Sequence, residues 1–378
     1  MIIGMPKEIK KNEYRVAMTP ANAAQLTRRG HRVLFQQGAG KGSGFADEAY
    51  LAAGCELTEL KKLYTECDML VKVKEIEESE FDLVREGQII FSYLHSNAYK
   101  EMTDTLLAKK VIGIAMEDID DADGGFPLLA PASVLAGKGA FLAALHLSQS
   151  VNGGDGALLA RVAGVPTPRI AIIGCGMSGM GTAELAAAFG NRVTMLDVNK
   201  DVMERAKDRL PSNVEFLFSN RESIETCLRE SDVLVNCILW DKTRKDHLVS
   251  REDLRMMKKG ALIIDVACDE GGAIETCRCT SHDDPVYREE GILHYCVDNI
   301  PSAFSNTASI TISAASFPFI RAIAEKGVVA ALREDKYLRR GLTFYYGQLT
   351  LLETAVKYNM TYTDALEAIQ KINGEVMQ

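Results

Sequence analysis

The chain has 378 residues, 47% apolar and 25% charged, with a formal net charge of -9. That length exceeds one ordinary core and predicts two domains, while the acidic balance and dispersed basic residues argue against a nucleic-acid or anionic-membrane surface. No signal peptide or membrane-spanning run is expected, and the nine cysteines, without a CxxC pair, read as reduced cytosolic thiols used as small apolar residues.

Short β-branched runs alternate with helical patterns, which predicts an α/β fold with mainly parallel strands. The first third places strands at IIGM (2–5), RVLFQ (32–36), DMLVKV (68–73), QIIFSYL (88–94) and VIGIAM (111–116), with helices such as TPANAAQLTRRG between them. SVLAGKGAFLAALHLSQ (133–149) reads as a long connecting helix, followed by the turn-rich NGGDGALLARVAGVPTP (152–168). A second strand series runs RIAIIG (169–174), RVTMLD (192–197), VEFLF (214–218), DVLVNCI (232–238), ALIIDVA (261–267) and LHYCVD (293–298). Within it SREDLRMMKKG (250–260) is expected to be a helix capped by Ser250 and closed by Gly260. The last seventy or so residues read as helical without strands of their own, so they must pack on something already built. The expected architecture is therefore two doubly wound domains: a discontinuous one of residues 1–128 plus 305–378, and an inserted one of residues 129–304.

RIAIIGCGMSGMGTAELAAAFG is the most informative local pattern: a buried strand ends in Gly174-Cys175-Gly176-Met177-Ser178-Gly179 and an Ala-rich helix follows at once. The first glycine permits the tight turn, the second lets backbone approach a pyrophosphate, and the third lets helix and strand pack closely, with phosphates meeting free N–H groups at the helix N-terminus. The next strand ends in Asp197, whose carboxylate suits the ribose hydroxyls of NAD and repels the 2′-phosphate of NADP, a repulsion Lys200 would soften. The same aspartate also reads as an N-cap for the following helix.

Open α/β sheets bind ligands beyond the carboxyl ends of their strands. Arg15, Lys74, His95 and Glu117 stand there in the first domain, and Asp269 and Asn299 in the second. If the two domains face each other across a cleft, these groups meet beside a nicotinamide. Two cations suit a carboxylate, and a histidine exchanges a proton near neutrality. With NAD, the set describes oxidation of a carbon bearing an amine or hydroxyl next to a carboxylate. Each residue also has a plainer reading: Arg15 and Lys74 as surface ion-pair partners, Lys72 as the inward-facing lysine of VKVK, His95 as a strand-end cap, and Glu117 as part of a solvated acidic loop, EDIDDAD.

Over nearly its whole length the sequence resembles the bacterial alanine dehydrogenases, through PKEIKKNEYRVAMTP, GAGKGSGFADEAY, LVKVKE, YLH, PLLAP, NGGDG…GVP, the glycine loop, LDVN, IIDVACDEGG, HDDPVY and HYCVDNIP. The resemblance implies two Rossmann-like domains, the first completed by the C-terminal helices, and a reversible NAD-dependent deamination of L-alanine to pyruvate and ammonia in a cytosolic hexamer. It implies that Arg15 and Lys74 bind substrate and that His95 and Asp269 are catalytic. NAD would be held by Ser133, Gly174, Gly176, Met177, Ser178, Gly179, Asp197, Ser219, Ile238, Leu239, Arg278, Val297, Asp298, Asn299 and Ile300. The chain departs from the family after PLLAP, where Ala132, Ser133 and Val134 replace Met-Ser-Glu, and at Trp240–Asp246, where WDKTRKD replaces a Pro-Gly-Ala-Lys-type loop. A smaller Ala132 enlarges the expected site. This favours, as the nearest rival, an opine-type reductase similar to carboxyethylornithine synthase. A rival from another class is the nucleotide-binding component of a membrane transhydrogenase, against which the strand-end histidine argues.

Overall fold

The computed structural model describes residues 1–240, 244, 246–268 and 272–375. The chain divides into two compact units, Met1–Ala132 with Phe304–Gln378, and Ser133–Ala303. The first holds an eight-stranded sheet: β1 (Ile2–Met5), β2 (Arg32–Gln36), β3 (Glu56–Thr58), β4 (Met69–Val71), β5 (Ile89–Ser92), β6 (Ile112–Ala115), β14 (Leu342–Tyr345) and β15 (Gln348–Leu349). The second holds a seven-stranded sheet: β7 (Arg169–Ile173), β8 (Arg192–Asp197), β9 (Val214–Phe218), β10 (Val233–Asn236), β11 (Leu262–Asp265), β12 (Val286–Glu289) and β13 (Ile292–Tyr295).

The spatial orders are β15-β14-β6-β5-β4-β1-β2-β3 and β12-β13-β11-β10-β7-β8-β9. Strands β1 to β6 pair in parallel, as do β7 to β11 and β13. Each sheet is therefore doubly wound, and its order reverses once, between β1 and β4 and between β7 and β10. The central strands read as near-continuous apolar runs because both faces are covered: β4, β5, β6, β10 and β11 are buried at every position, with Ser92, Asn236 and Asp265 as polar last residues. Ile3, Phe35, Val71 and Phe91 face one core layer of the first unit, and Leu34, Leu70 and Ile90 face the other.

The C-terminal segment differs from expectation. It contains the hairpin β14–β15, with β14 antiparallel to β6. The helix Ser305–Lys326 then anchors the loop after β1: Ser309 Oγ accepts the Val16 N–H at 2.9 Å and Ser313 Oγ accepts that of Thr19 at 2.9 Å. The helix expected at 250–260 is only the short 3₁₀ turn Glu252–Met256. There Asp253 accepts the Ser250 N–H at 2.8 Å and pairs with Arg221, so a tertiary ion pair overrides the local helical pattern. Contrary to expectation, two helices, Ala130–Leu147 and Ile300–Lys326, are long and apolar enough by composition to cross a membrane. Each has a buried face, including Gly137, Ala140, Phe141 and Ala144 in one and Ile312, Phe317 and Ile320 in the other.

Candidate active site

Strands β6, β5, β4 and β1 lie side by side and parallel, so their carboxyl ends open on one edge of the first sheet. Glu117, His95, Lys74 and Arg15 leave from those four ends, and Arg15 and Lys74 flank the point where strand order reverses. Arg15 is buried; its Nε and Nη2 donate to the two oxygens of buried Glu13 at 2.7 and 2.5 Å, which holds the guanidinium plane. Lys74 feels the charges of Glu75, Lys10, Arg15 and Glu13. Burial, reinforced by the two cations, pulls its pKa below the ordinary lysine value. Its Nζ makes no hydrogen bond or ion pair among the described residues.

Lys72 takes the other course. It is fully buried and donates to both oxygens of Glu80, at 2.7 and 2.5 Å, while Tyr64 Oη donates to the same carboxylate at 2.6 Å. The inward-facing lysine is therefore Lys72, and Lys74 stands with Arg15.

His95 has a left-handed backbone, φ 47°, an uncommon conformation for a non-glycine residue. Glu117 supports it by accepting the N–H groups of Leu94 at 3.2 Å and His95 at 2.6 Å. Half-buried Glu117 is thus a backbone acceptor and not part of a solvated run. The imidazole Nδ1 lies 3.3 Å from Glu75 Oε2, while Glu75 Oε1 accepts from Lys10 Nζ at 2.5 Å. Burial alone would raise the Glu75 pKa, but the bond to His95 and the charges of Lys74 and Lys10 hold it well below the ordinary carboxylate range. A carboxylate at Nδ1 selects the tautomer that leaves Nε2 as the proton acceptor. The His95 side chain keeps 38% of its surface exposed, so it is reachable. No local pattern marks Glu75 as the partner of His95, although it too follows a buried strand.

Glu8, on the loop after β1, accepts the Val73 N–H at 2.6 Å through Oε1, while Oε2 has no hydrogen-bond partner among the described residues. Burial raises its pKa to about 7. The folded state therefore keeps a proton that the unfolded state releases near the ordinary value of 4.5, and stability falls as pH rises from there to about 7. Glu8→Gln is expected to remove that slope. Thermal unfolding should show a higher Tm than the parent at about pH 8 and little difference at about pH 4.

In the second unit the carboxyl ends of β9, β8, β7, β10, β11 and β13 share one edge. They carry Ser219, Asp197, the glycine loop, Ile238 with Leu239, and Val297–Ile300. Asp269 lies outside the described residues. Gly174 has φ +104°, and a Cβ on it would come within 2.8 Å of Ile238 Cγ2 across the β7/β10 reversal. Gly176 faces open space, where a ligand can approach the backbone, and Gly179 packs so closely that a Cβ would lie 1.9 Å from the Gly174 carbonyl oxygen. The helix Met177–Ala188 starts there, its first N–H groups having no intrahelical acceptor. Met177, Val198 and Leu239 are exposed apolar side chains along the same edge, a surface that suits a flat aromatic ring. Open backbone, unpaired donors and an apolar ledge fit a dinucleotide.

Asp197 accepts the Cys175 N–H at 2.8 Å and the Asn199 N–H at 2.9 Å. The cap of the next helix is Asn199, which accepts from Asp201 and Val202, and not Asp197. Ser219 donates its N–H to the Asp197 carbonyl at 2.9 Å. Ser133 is one turn before Gly137, where the helix Ala130–Leu147 meets the glycine-loop helix; a Cβ on Gly137 would lie 1.8 Å from the Ser178 carbonyl oxygen. Arg278 stacks on Tyr287, 4.0 Å from the ring centre. Asn299 is buried, and its carbonyl is 2.9 Å from His282 Nε2. Val297 and Ile300 are also buried, whereas Asp298 is exposed. In the departing loop, Asp241–Thr243 and Lys245 lie outside the described residues. Arg244 stacks on Trp240, whose indole N–H donates to the Asp246 carbonyl at 2.9 Å. Gly179→Ala is expected to weaken NADH binding by about 1–3 kcal/mol, roughly five- to a hundred-and-fiftyfold, because the new methyl collides with backbone; titration of NADH fluorescence measures it.

Comparison with known proteins adds a second line. The family models "Alanine dehydrogenase/PNT, N-terminal domain" and "Alanine dehydrogenase/PNT, C-terminal domain" match residues 4–136 and 140–351. The chain is 40% identical to an alanine dehydrogenase of Methanococcus maripaludis over 373 residues, covering 98% of this chain and all of that one. It is 38% identical to an alanine dehydrogenase of Mycolicibacterium smegmatis, covering 97% and 99%. A solved L-alanine dehydrogenase superposes with a TM-score of 0.90 at 34% identity, covering 95% of this chain and 99% of that one.

Proposed function

The chain belongs to the alanine dehydrogenase/PNT family, and we propose that it catalyses the reversible NAD-dependent oxidative deamination of L-alanine to pyruvate and ammonia. The observation that carries this reading is His95, held by Glu75 and Glu117 on the edge that also bears Arg15 and Lys74. We read the unit with Met1–Ala132 as the substrate unit and Ser133–Ala303 as the cofactor unit.

Arg15, fixed by Glu13, and Lys74 bind the substrate carboxylate and carbonyl region. The glycine loop, Ser133, Asp197, Ser219, Ile238, Leu239, Arg278 and Val297–Ile300 hold NAD, which when bound accepts the hydride from the substrate Cα. His95 Nε2 takes a proton from the water that adds to the resulting imine and returns one to the departing ammonia. Glu75 stays ionised throughout and steadies the imidazolium. Asp269 is the second catalytic group in this reading. The working form is read as a cytosolic homohexamer.

Absorbance of NADH with purified protein, NAD and L-alanine at mildly basic pH tests the activity, with D-alanine and other L-amino acids alongside. Rapid NADH formation confined to L-alanine is expected. Turnover only with pyruvate plus a diamino acid would instead assign the opine-type reaction, as the small Ala132 allows.

A further inference from the structure

Four of the nine cysteines meet in the second unit, at a place the proposed chemistry does not use. Cys268 follows β11 and Cys296 follows β13, and these strands are parallel neighbours, so their carboxyl ends bring the two residues together. The bridge between Thr280 and Val297 lays the Cys277–Cys279 segment alongside. The Cys268 thiol contacts those of Cys279 and Cys296, and the Cys277 thiol contacts that of Cys296. Cys279 Sγ is also 3.1 Å from the Cys268 carbonyl oxygen, and Tyr287 Oη is 3.5 Å from Cys296 Sγ. All four are thiols, with no disulfide among them.

Two properties distinguish the cluster. Cys277 and Cys296 are buried, Cys268 is half-buried and Cys279 is exposed, so the group opens to solvent at Cys279. The thiols also share protons unequally. Bonds to Cys279 and Cys296 push the Cys268 pKa up, and bonds from Cys268 and Cys277 hold Cys296 well below the ordinary thiol value. Attack on a disulfide needs a thiolate, and the exposed Cys279 is where a small oxidant reaches the cluster. Among the described residues no three His, Cys, Asp or Glu side chains are arranged to hold a metal ion.

We propose that Cys268 and Cys279 are a redox modification site, closing to a reversible disulfide when a small organic disulfide acts as oxidant. The thiolate of one cysteine attacks the oxidant, an S–S bond breaks and a small thiol leaves with a proton. The second cysteine then displaces the other half as its thiol, so two electrons pass from the protein to the oxidant and one intramolecular S–S bond forms. Cys268 directly precedes Asp269 in sequence, the residue read above as the second catalytic group. The effect on turnover rests on the alanine dehydrogenase reading, whereas the bond itself does not.

The experiment treats the full chain with oxidised glutathione, maps disulfides by peptide mass spectrometry, and follows NADH formation from L-alanine before and after dithiothreitol. A Cys268–Cys279 crosslink is expected, with about a hundredfold loss of turnover that dithiothreitol reverses, the scale of a small misplacement beside reacting groups. Cys279→Ser should keep basal turnover and lose both crosslink and inhibition. No crosslink between these two residues, a crosslink elsewhere in the cluster, or thiols masked by stoichiometric bound zinc would overturn the site. A crosslink with unchanged turnover would overturn its control of activity. A crosslink in a protein that never oxidises alanine would support the site and overturn the functional reading alone.

Discussion

His95→Ala lowers kcat by about two to four orders of magnitude and leaves NADH binding intact. The expectation follows from the geometry: His95 is a half-buried, reachable imidazole at this strand edge, its Nδ1 faces Glu75, and its backbone N–H is held by Glu117. Alanine is strained at the left-handed φ of 47°, so a folding defect must be separated from a chemical one. Asparagine adopts that conformation readily, and His95→Asn therefore keeps the loop while removing the proton acceptor. Steady-state kinetics of both variants, with NADH titration as the control for folding, decides the matter. Near-normal turnover in His95→Asn would assign the proton to another group.

Lys72→Met and Lys74→Met separate structure from substrate binding. Removing Lys72 leaves the Glu80 carboxylate buried with, among the described residues, only the Tyr64 hydroxyl and the Glu77 N–H to meet it, and breaking a buried pair of this kind costs about 3–5 kcal/mol. Lys74 instead carries a pKa lowered first by burial, and its Nζ meets no acceptor among the described residues. Lys74→Met should therefore keep or slightly raise the Tm. It should lose charge-assisted bonds to substrate worth about 1.5–3 kcal/mol, a rise in KM for alanine of roughly ten- to a hundredfold. Denaturant unfolding and KM measured on both variants check this. A stability loss confined to Lys74→Met would exchange the two roles.

Most of the strands were legible because a strand buried on both faces is a nearly unbroken apolar run, as MLV and IGIA are. The β14–β15 hairpin was not. Its turn is Tyr346-Gly347, both with positive φ, 47° and 84°, and a tyrosine there gives none of the Asn-Gly or Asp-Gly signal of a tight hairpin. The short turn at Glu252–Met256 is hidden for a related reason: the Asp253–Arg221 pair joins residues distant in sequence, and helical periodicity does not register it.

The sequence by itself determined the α/β class, the glycine loop after β7 and the polar residues that end the parallel strands, because burial and backbone conformation restrict residue type position by position. Only the tertiary structure decided which lysine of VKVK turns inward, that Glu75 is the partner of His95, that Glu117 supports the His95 backbone, and that four separated thiols meet. A strand pattern says where the chain leaves the sheet. Where the next side chains point depends on the neighbouring strands, and β4 beside β5, or β11 beside β13, is a pairing between segments that no local pattern contains.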